Sequence, residues 1–529
     1  MKMNILLLIG MFSLASCGDS GVDSPPKDDV NVDITKNVTI DATVTYQTID
    51  GFAASDCWVP NYIGKYWNND EKEAIANLLF SKEIKNGAPQ GIGLSMWRFN
   101  LGGGTAEQGS SSDITDKSRR AECFLQQDGT LDWSHHQGQQ YFLEKAKSLG
   151  CESFVMFSNT PPVNYTVNGK GYSAKGAFAN LKDDCYDDFA KYMANALSYF
   201  KEQKGINFNY ISPVNEPQYN WASPSQEGSG WQNSEIKRLA VELDKALTDK
   251  NLNTKILLAE AGDWEYLYKV KNDAGRSDVI QNFFNEGSVN YVGNLTHVAP
   301  IIAGHSYWTD TNWATMYDVR SQVATAAKSK NLKVYQTEWS MMSDNYEDYP
   351  GHDNASYMDI ALCMAKVIHH DLATANVSSW SYWTSLDVER WGHKNRFLLI
   401  KTTPADGAYG DIEKSGTHEA TKTLWTLGNY SLFIRPGYQR VNLTVQNASN
   451  SFFGSAYLSP QKDKLVVVYT NLTTKIIGVD LSLNGLSKKA SSVKQYTTNA
   501  SSDLSEKELS SNNSSIQPKS VVTVVYDFK

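Results

Sequence analysis

The chain has 529 residues, of which 41% are hydrophobic and 20% are charged, and its formal net charge is −9. This length and apolar content predict a globular protein with one large domain and a smaller one, and they exclude a disordered chain. The Lys and Arg residues are scattered, so the sequence has no electrostatic footprint for a polyanion. We therefore expect no nucleic-acid partner.

The first residues have the pattern of an export signal. Lys2 supplies a positive start, and residues 5–14 form an apolar stretch that is too short to span a bilayer. LASC follows at residues 14–17. This pattern resembles a bacterial lipoprotein signal, in which cleavage precedes a cysteine that becomes lipid-modified, here Cys17. The alternative is an ordinary signal peptide that ends near a cysteine.

The segment after Cys17 is polar and contains proline, which is typical of a flexible tether. We therefore assign residues 1–17 to a signal peptide and residues 18–36 to a tether. The protein is expected to be exported and attached to a membrane through its lipid only, at the outer membrane or the cell surface. No later segment of the sequence is apolar enough to cross a bilayer.

Eight short apolar runs begin at about residue 49, and segments with helical periodicity separate them. Most runs are continuously apolar, as expected of strands that are buried on both faces in a parallel sheet. The runs cover residues 49–55, 91–99, 152–158, 207–214, 254–261, 301–308, 333–339 and 378–383. Helix candidates between them cover residues 71–81, 186–203 and 234–247. The alternation predicts an α/β fold, a (β/α)₈ TIM barrel over residues 49–425.

The pattern changes after residue 425. Short strands separated by Gly, Asn, Ser and Lys turns, with no helix between them, predict an antiparallel β-sandwich side domain at residues 426–529. Residues 37–48 alternate in the same way, so we expect an N-terminal strand there that pairs with the sandwich. We expect the sandwich to support the barrel; independent carbohydrate binding by it is the alternative.

Five cysteines follow Cys17, widely spaced and without a CxxC pair or a His/Cys cluster. This spacing argues against a zinc site, and it does not specify the pairing of any disulfide. The glycine run at residues 102–104 lacks the Lys-Ser/Thr of a phosphate loop, so it predicts a sharp turn. We expect neither a metal nor a cofactor.

Two glutamates end apolar runs on opposite sides of the predicted barrel. Glu216 follows the fourth run and Glu338 ends the seventh. The carboxyl ends of all the strands open onto one mouth of such a barrel, where the chemistry takes place. Two carboxylates across a cleft suit glycoside hydrolysis, since one protonates the leaving oxygen and the other attacks the anomeric carbon or activates water. Attack by the carboxylate itself predicts a separation of about 5 to 5.5 Å.

The residues around the two glutamates strengthen this hypothesis. In VNEP, Asn215 precedes Glu216 and is placed to donate to a sugar 2-hydroxyl. The chain resembles the clan A barrel glycosidases, which carry the acid/base on strand four after an asparagine and the nucleophile on strand seven. More narrowly, it resembles glycoside hydrolase family 30. The resemblance implies that Glu216 is the acid/base, that Glu338 in QTEWS is the nucleophile, and that the anomeric configuration is retained.

The order of further motifs carries the same resemblance. DGFAASD is similar to the family's first strand, whose aspartate, here Asp56, contacts distal sugar hydroxyls. GIGLSMWRF is similar to the second strand, and it implies that Arg98 supports the nucleophile. GHSYW resembles strand six, with His305 and Tyr307 lining the site and the tyrosine bonding the nucleophile. In SYWTS, Trp383 matches a platform beneath the reacting sugar.

One loop departs from the family pattern. Where many relatives read SPPxWM after strand three, this chain has TPPVNY, so Asn164 stands at the usual Trp position. A small amide in place of an aromatic wall predicts a changed sugar preference. The loop after strand two, with GGGTAEQ and RRAECF, most resembles the branch that includes endo-β-1,6-galactanases.

Other functions remain open at this point. Within the same family they are a β-1,6-glucanase, a glucuronoxylanase or a β-xylosidase. A site for glucuronate should show Arg or Lys in sandwich loops near the barrel mouth, and Arg435 and Arg440 are candidates for it. A surface glycan-binding lipoprotein without catalysis is the alternative from another class, although the presence of both carboxylates argues against it. The expected partner is in each case a polysaccharide or oligosaccharide.

Overall fold

Eight short strands close into a parallel barrel in the computed structural model, which describes residues 32–390, 392–486 and 489–528. Each strand pairs in parallel with the next one along the chain, and the eighth pairs with the first. In chain order the strands are Gly51–Ser55, Met96–Asn100, Ser153–Phe157, Tyr210–Ser212, Lys255–Ala261, Val298–Gly304, Lys333–Trp339 and Val377–Tyr382. The predicted (β/α)₈ barrel is confirmed.

The predicted signal peptide with Cys17, and the tether up to residue 31, lie outside the described residues.

The barrel strands are buried on both faces, which explains their continuous apolar sequences. Inside the barrel a small core includes Ala53, Met96, Val155 and Leu257. The outer face of the strands packs against the surrounding helices in one large core. The interior is thus filled by side chains, and the open space lies at the mouth.

Helices follow most of the barrel strands. The helix Tyr186–Gln203 has the bounds that its periodicity predicts; acidic residues occupy its first turn, and one face, with Phe189 and Phe200, is buried. The α-helices of the described residues are Val59–Tyr66, Asn69–Phe80, Thr105–Gln108, Gln137–Ser148, Tyr186–Gln203, Asn233–Asp249, Glu265–Tyr268, Val279–Phe284, Trp313–Ser329, Tyr357–Ala373 and Lys422–Ser431. Short strands outside the barrel and the large sheet are Ile84–Lys85, Ala88–Pro89, Leu386–Asp387, Ile400–Thr403 and Thr417–Ala420.

Nine strands of the described residues form a second, separate sheet around a hydrophobic core of its own. In their order across the sheet they are Ser505–Glu508, Ala490–Thr498, Ser520–Phe528, Lys464–Asn471, Phe452–Leu458, Gln439–Val445, Ile34–Thr48, Ile477–Asn484 and Ser514–Ile516.

The N-terminal strand Ile34–Thr48 lies inside this sheet. It pairs antiparallel with Gln439–Val445 and parallel with Ile477–Asn484, whereas the other adjacent strands described in this sheet pair antiparallel. The parallel pair departs from a purely antiparallel arrangement because this strand comes from the opposite end of the chain, and no hairpin constrains its direction.

The helix Lys422–Ser431 connects the barrel to the nine-stranded sheet. Asn429 donates to Thr498 Oγ1 at 2.7 Å, and its backbone carbonyl accepts from Thr523 Oγ1 at 2.6 Å. Ser431 Oγ donates to the carbonyl of Ile92, just before the second barrel strand, at 2.5 Å. The sheet is therefore joined to the barrel by buried hydrogen bonds.

All five cysteines of the described ranges are free thiols: Cys57, Cys123, Cys151, Cys185 and Cys363.

Among the helices of residues 32–390, 392–486 and 489–528, none is long and apolar enough to span a bilayer.

The central position of the N-terminal strand predicts a large effect of truncating its core residues. Ile40 is fully buried between two partner strands. We expect Ile40→Ala to lower the free energy of unfolding by about 2 to 5 kcal/mol, because it removes buried methyl groups and leaves a cavity. Urea denaturation measures this. The matched control is Thr35→Ala on an exposed position of the same strand; equal effects of the two changes would contradict the strand's central role.

Candidate active site

Glu216 and Glu338 meet at the carboxyl ends of the barrel strands. Glu338 lies in the seventh strand, and Glu216 follows the fourth. One carboxylate oxygen of each, together with a ring nitrogen of His305, lies within 4.8 Å of the others. They open onto a cleft of about 370 Å³, lined by residues that follow strands four to eight.

The backbone at Glu216 is held in an unusual conformation. Its φ is 43°, in the left-handed region that non-glycine residues rarely adopt. Its amide donates to the carbonyl of Glu260 at 2.9 Å. A Cβ on Gly262 would come within 3.1 Å of Glu216 Cδ, so the glycine allows the carboxylate its position. Strain of this kind is typical of functional sites.

Arg98 is a buried cation beside Glu338. Its Nη1 lies 2.8 Å from Glu338 Oε2 and 3.0 Å from Ser55 Oγ. Its Nη2 donates to Asn215 Oδ1 at 3.2 Å, which leaves the amide NH₂ of Asn215 available for another acceptor. Tyr307 donates its hydroxyl to the other oxygen of Glu338 at 3.2 Å. Glu338 thus has a positive partner and a hydroxyl donor.

Glu260, in the fifth strand, is a third carboxylate of the site that the sequence analysis missed. It is fully buried, lies 3.5 Å from Arg98, and accepts hydrogen bonds from the hydroxyls of Ser212 and Thr337. Burial opposes its ionisation, but the charge of Arg98 and the hydrogen bond from His305 lower the pKa of Glu260 to about 2. Its position in the apolar run ILLAEA was the available signal, the same one that marked Glu216.

His305 connects the carboxylates. Its Nδ1 lies 2.9 Å from Glu216 and 3.8 Å from Glu338, and its Nε2 lies 3.2 Å from Glu260. Burial opposes its protonation, but the negative charge of Glu338 and the hydrogen bonds to Glu216 and Glu260 raise the pKa of His305 to about 10. His305 is therefore an imidazolium at neutral pH and donates from both ring nitrogens.

Opposing effects act on Glu338. Burial raises its pKa above the ordinary value and the negative charge of Glu216 acts in the same direction, while His305 and Arg98 lower it. Two facing carboxyl groups resist joint ionisation because like charges repel. The ion pair with Arg98 at 2.8 Å favours the charged form of Glu338.

Asp56 follows the first strand and is fully buried. Its Oδ1 accepts from the amide of Asn100 at 2.7 Å and from Gln139 at 3.0 Å, whereas Oδ2 has no partner. Burial raises the pKa of Asp56 to about 8, and these hydrogen bonds offset only part of the effect. Nearby on the strand-eight side, Trp383 lines the cleft and contacts Trp58 edge-to-face, with ring centroids 5.1 Å apart.

Asn164 is not brought into the cleft. Its amide donates to the carbonyl of Gln126 at 2.8 Å, and it is absent from the described cleft lining. The other predicted site residues surround the carboxylate pair or, as with Asp56, lie buried at a strand end. The proposed influence of Asn164 on sugar preference remains a prediction.

The loops around the mouth are tied together by another buried carboxylate. Glu227, which follows strand four, accepts from the amide of Gly103 at 3.0 Å and from the hydroxyl of Thr105 at 2.7 Å. A Cβ on Gly103 would come within 2.5 Å of Thr160 Cγ2, so the predicted sharp turn at residues 102–104 requires glycine there.

Glu216, His305 and Glu338 form the one group of potential metal ligands found in the described part of the chain. A protonated His305 offers no lone pair, and Arg98 already neutralises Glu338. The arrangement therefore suits proton transfer and nucleophilic chemistry better than cation binding.

The negative groups around His305 predict how the stability of the protein depends on pH. Since the pKa of His305 is raised from 6.5 to about 10, its charge stabilises the fold fully below pH 6.5, and this contribution is lost as the pH rises through 10. Glu260→Gln removes one negative partner and should lower the pKa of His305. The loss of unfolding free energy should then begin at a lower pH. Chemical denaturation at a series of alkaline pH values measures it.

The matched control is Glu144→Gln, which removes a surface carboxylate paired with Lys204 and should leave the alkaline profile almost unchanged. A Glu260→Gln profile that superimposes on that of the wild type would show that Glu260 does not hold the charge of His305.

Comparisons with known proteins identify the family of the chain. The family model described as O-glycosyl hydrolase family 30 matches residues 35–395. The endo-β-1,6-galactanase of Hypocrea rufa is 23% identical over 452 residues, covering 82% of this chain and 81% of the relative. The glucuronoxylanase XynC of Bacillus subtilis is 24% identical over 365 residues, covering 68% of this chain and 70% of the relative.

A solved structure shares the whole architecture. The conserved exported protein from Bacteroides fragilis superposes with a TM-score of 0.85 and 31% sequence identity, covering 93% of this chain and 100% of that one. Since the family model matches more than half of the sequence, the chain belongs to O-glycosyl hydrolase family 30 and is an O-glycosyl hydrolase.

Proposed function

We propose that the protein is a retaining glycoside hydrolase that cleaves β-linked polysaccharide by double displacement, with Glu338 as nucleophile and Glu216 as acid/base. The observation that carries this proposal is that one carboxylate oxygen of Glu216 lies within 4.8 Å of one carboxylate oxygen of Glu338. So close an approach favours direct attack, for which the two carboxyl groups lie about 5 to 5.5 Å apart, whereas inverting enzymes need about 6.5 to 9.5 Å to accommodate a water molecule.

The charges support these roles. With Arg98 and His305 protonated and Glu260 and Glu338 ionised, two positive and two negative buried charges cancel. Glu338 then attacks the anomeric carbon while Glu216 gives its proton to the leaving oxygen. Formation of the ester removes the charge of Glu338.

The second step reverses the proton transfer. Glu216, now a carboxylate, takes a proton from water, which attacks the glycosyl-enzyme and releases Glu338. Arg98 and Tyr307 stabilise the leaving carboxylate. Because Asn215 uses its amide oxygen to accept from Arg98, its NH₂ is oriented to donate to a sugar 2-hydroxyl. Asp56 and Trp383 would hold the reacting and distal sugars.

The substrate we propose is β-1,6-galactan, which makes the protein an endo-β-1,6-galactanase. The likeness to the Hypocrea rufa galactanase over most of both chains supports this choice. None of the described residues that line the cleft is Lys or Arg, which favours a neutral glycan over one that carries glucuronate.

The two arginines considered for glucuronate lie near the amino ends of barrel strands, opposite the mouth. Arg435 pairs with Glu152 at 2.6 Å, just before the third strand, and Arg440 donates to Asn376 at 2.8 Å, just before the eighth. Both contacts are at the amino ends of strands, opposite the mouth. A glucuronoxylanase therefore has less support than the galactanase, while a β-1,6-glucanase remains the second candidate because its substrate is also neutral.

Product analysis tests the substrate. We expect the chain without residues 1–17 to release short β-1,6-galactose oligomers from β-1,6-galactan, and to act weakly on β-1,6-glucan and glucuronoxylan. Glu338→Gln should lower the rate by at least about a thousandfold, because it removes the nucleophile. Release of products from glucan or xylan instead would contradict the substrate, and binding of these glycans without products would contradict catalysis.

We further propose that the protein is exported and attached to a membrane through lipid on Cys17. The LASC sequence supports this, as does the likeness to an exported Bacteroides fragilis protein. We propose a tether from residue 18 up to the strand Ile34–Thr48, followed by the barrel at 49–425 and the sandwich at 426–529. The strand begins at Ile34, so it includes residues 34–36, the end of the tether predicted at 18–36.

Replacing the proposed lipidation site tests the attachment. Cys17→Ser should move the protein from the membrane fraction to the soluble exported fraction in a bacterial host, because a single lipid-modified residue supplies the attachment. Cys151→Ser, at a buried thiol, is the control and should stay with the membrane. A Cys17→Ser protein that still sediments with membranes would contradict the proposal.

A further inference from the structure

Two large aromatic side chains stand exposed in the wall of the catalytic cleft. Tyr219 is 58% exposed and Trp308 is 59% exposed, and both line the cleft that contains Glu216 and Glu338. Neither ring was needed to explain the ion pairs and hydrogen bonds of the catalytic carboxylates. An aromatic ring exposed in a binding cleft is a typical surface for stacking against a ligand.

The backbone turns Trp308 outward from a buried segment. Its neighbours Tyr307 and Thr309 are buried, and φ at Trp308 is 64°, a left-handed value that is exceptional for a bulky residue. Arg320 donates to the carbonyl of Thr309 at 2.7 Å, and Trp339 donates its indole N–H to Asp310 at 2.6 Å. The surrounding hydrogen bonds thus hold a strained residue whose ring faces the cleft.

Tyr219 is tied to the acid/base. Its amide donates to the carbonyl of Glu216 at 3.0 Å, which closes a turn. Trp221 donates its indole N–H to the same carbonyl at 3.0 Å and contacts the Tyr219 ring edge-to-face, with centroids 4.7 Å apart. The Tyr219 ring is therefore positioned by the segment that positions Glu216.

We propose that Tyr219 and Trp308 form the binding platform for the sugars of the leaving group, which are neutral hexopyranoses. The inference rests on the proposed function, because the acid protonates the oxygen that joins the reacting sugar to the leaving sugars. Those sugars must leave on the side of Glu216. Tyr219 and Trp308 follow strands four and six, whereas Trp383 and Asp56 follow strands eight and one on the other side of Glu338.

The chemistry of this wall fits such sugars. The C–H faces of a pyranose stack on aromatic rings, while its hydroxyls need polar partners. Ser225 and Gln226 lie in the same wall and offer hydroxyl and amide groups. The absence of Lys and Arg from the described lining again fits an uncharged sugar. The platform would make cleavage depend on sugars beyond the scissile bond.

Two substrates separate this role from catalysis. β-1,6-Galactotetraose places sugars on both sides of the scissile bond, whereas β-1,6-galactobiosyl fluoride has the reacting sugars but a leaving group without a ring. For the full chain in detergent, we compare kcat/KM for the tetraose with kcat/KM for the fluoride. In Trp308→Ala and in Tyr219→Ala the ratio should fall about tenfold, the loss expected for one stacking contact.

The controls isolate the ring. Trp308→Phe keeps an aromatic face and should restore most of the ratio. Tyr357→Ala removes a similarly exposed ring, 46% exposed and outside the described cleft lining, and should leave the ratio as in the wild type. Continued hydrolysis of the fluoride shows that each variant is folded.

The kcat/KM ratios of the two alanine variants decide whether the platform exists. A ratio that is unchanged in both alanine variants overturns the platform while leaving the proposed function intact. If the wild type hydrolyses neither compound, the comparison is repeated with β-1,6-glucotetraose and β-1,6-glucobiosyl fluoride. Failure of the wild type on both pairs overturns the proposed function, and the platform with it.

Discussion

A positive charge buried among carboxylates organises the mouth of this barrel. The Arg98 guanidinium is 1% exposed and lies 2.8 Å from Glu338 and 3.5 Å from Glu260. An ion removed from water is costly unless charged and hydrogen-bonding partners surround it. Strands one, two, five and seven must therefore close with their ends in register, because each contributes a group to this cluster.

The same cluster contains charged groups that affect one another's protonation. Glu260 stays ionised and favours protonation of His305, and His305 in turn donates to Glu216. Neither Glu260 nor His305 needs to touch the reacting atoms for this effect. Their charges set the electrostatic environment of the carboxylate pair, which is how many enzymes assign separate acid and nucleophile roles to similar groups.

The barrel and its paired glutamates could be predicted because both depend on local patterns. Buried strands require apolar runs, and a carboxylate at the end of such a run is costly without a function. Glu260 met the same criterion, but its run ends in AEAG and carries no flanking motif, and only its contacts with Arg98 and His305 show its role.

Loop side chains could not be predicted, since their directions depend on distant contacts. Asn164 turns to the carbonyl of Gln126, and Trp308 turns outward because hydrogen bonds from Arg320 and Trp339 hold the backbone around it. The parallel pairing of Ile34–Thr48 with Ile477–Asn484 likewise joins segments more than 400 residues apart. No local sequence pattern specifies the direction of such a pair.

We propose that the buried ion pair with Arg98 makes Glu338 the nucleophile. Incubation with a 2-deoxy-2-fluoro-β-galactosyl fluoride should trap the glycosyl-enzyme, because the 2-fluorine slows both steps while the anomeric fluoride, a good leaving group, keeps the first step fast enough for the intermediate to accumulate. Mass spectrometry of the digested protein would then locate the added sugar. We expect the label on Glu338. A label on Glu216, or release of a product of inverted configuration with no labelled carboxylate, would contradict it.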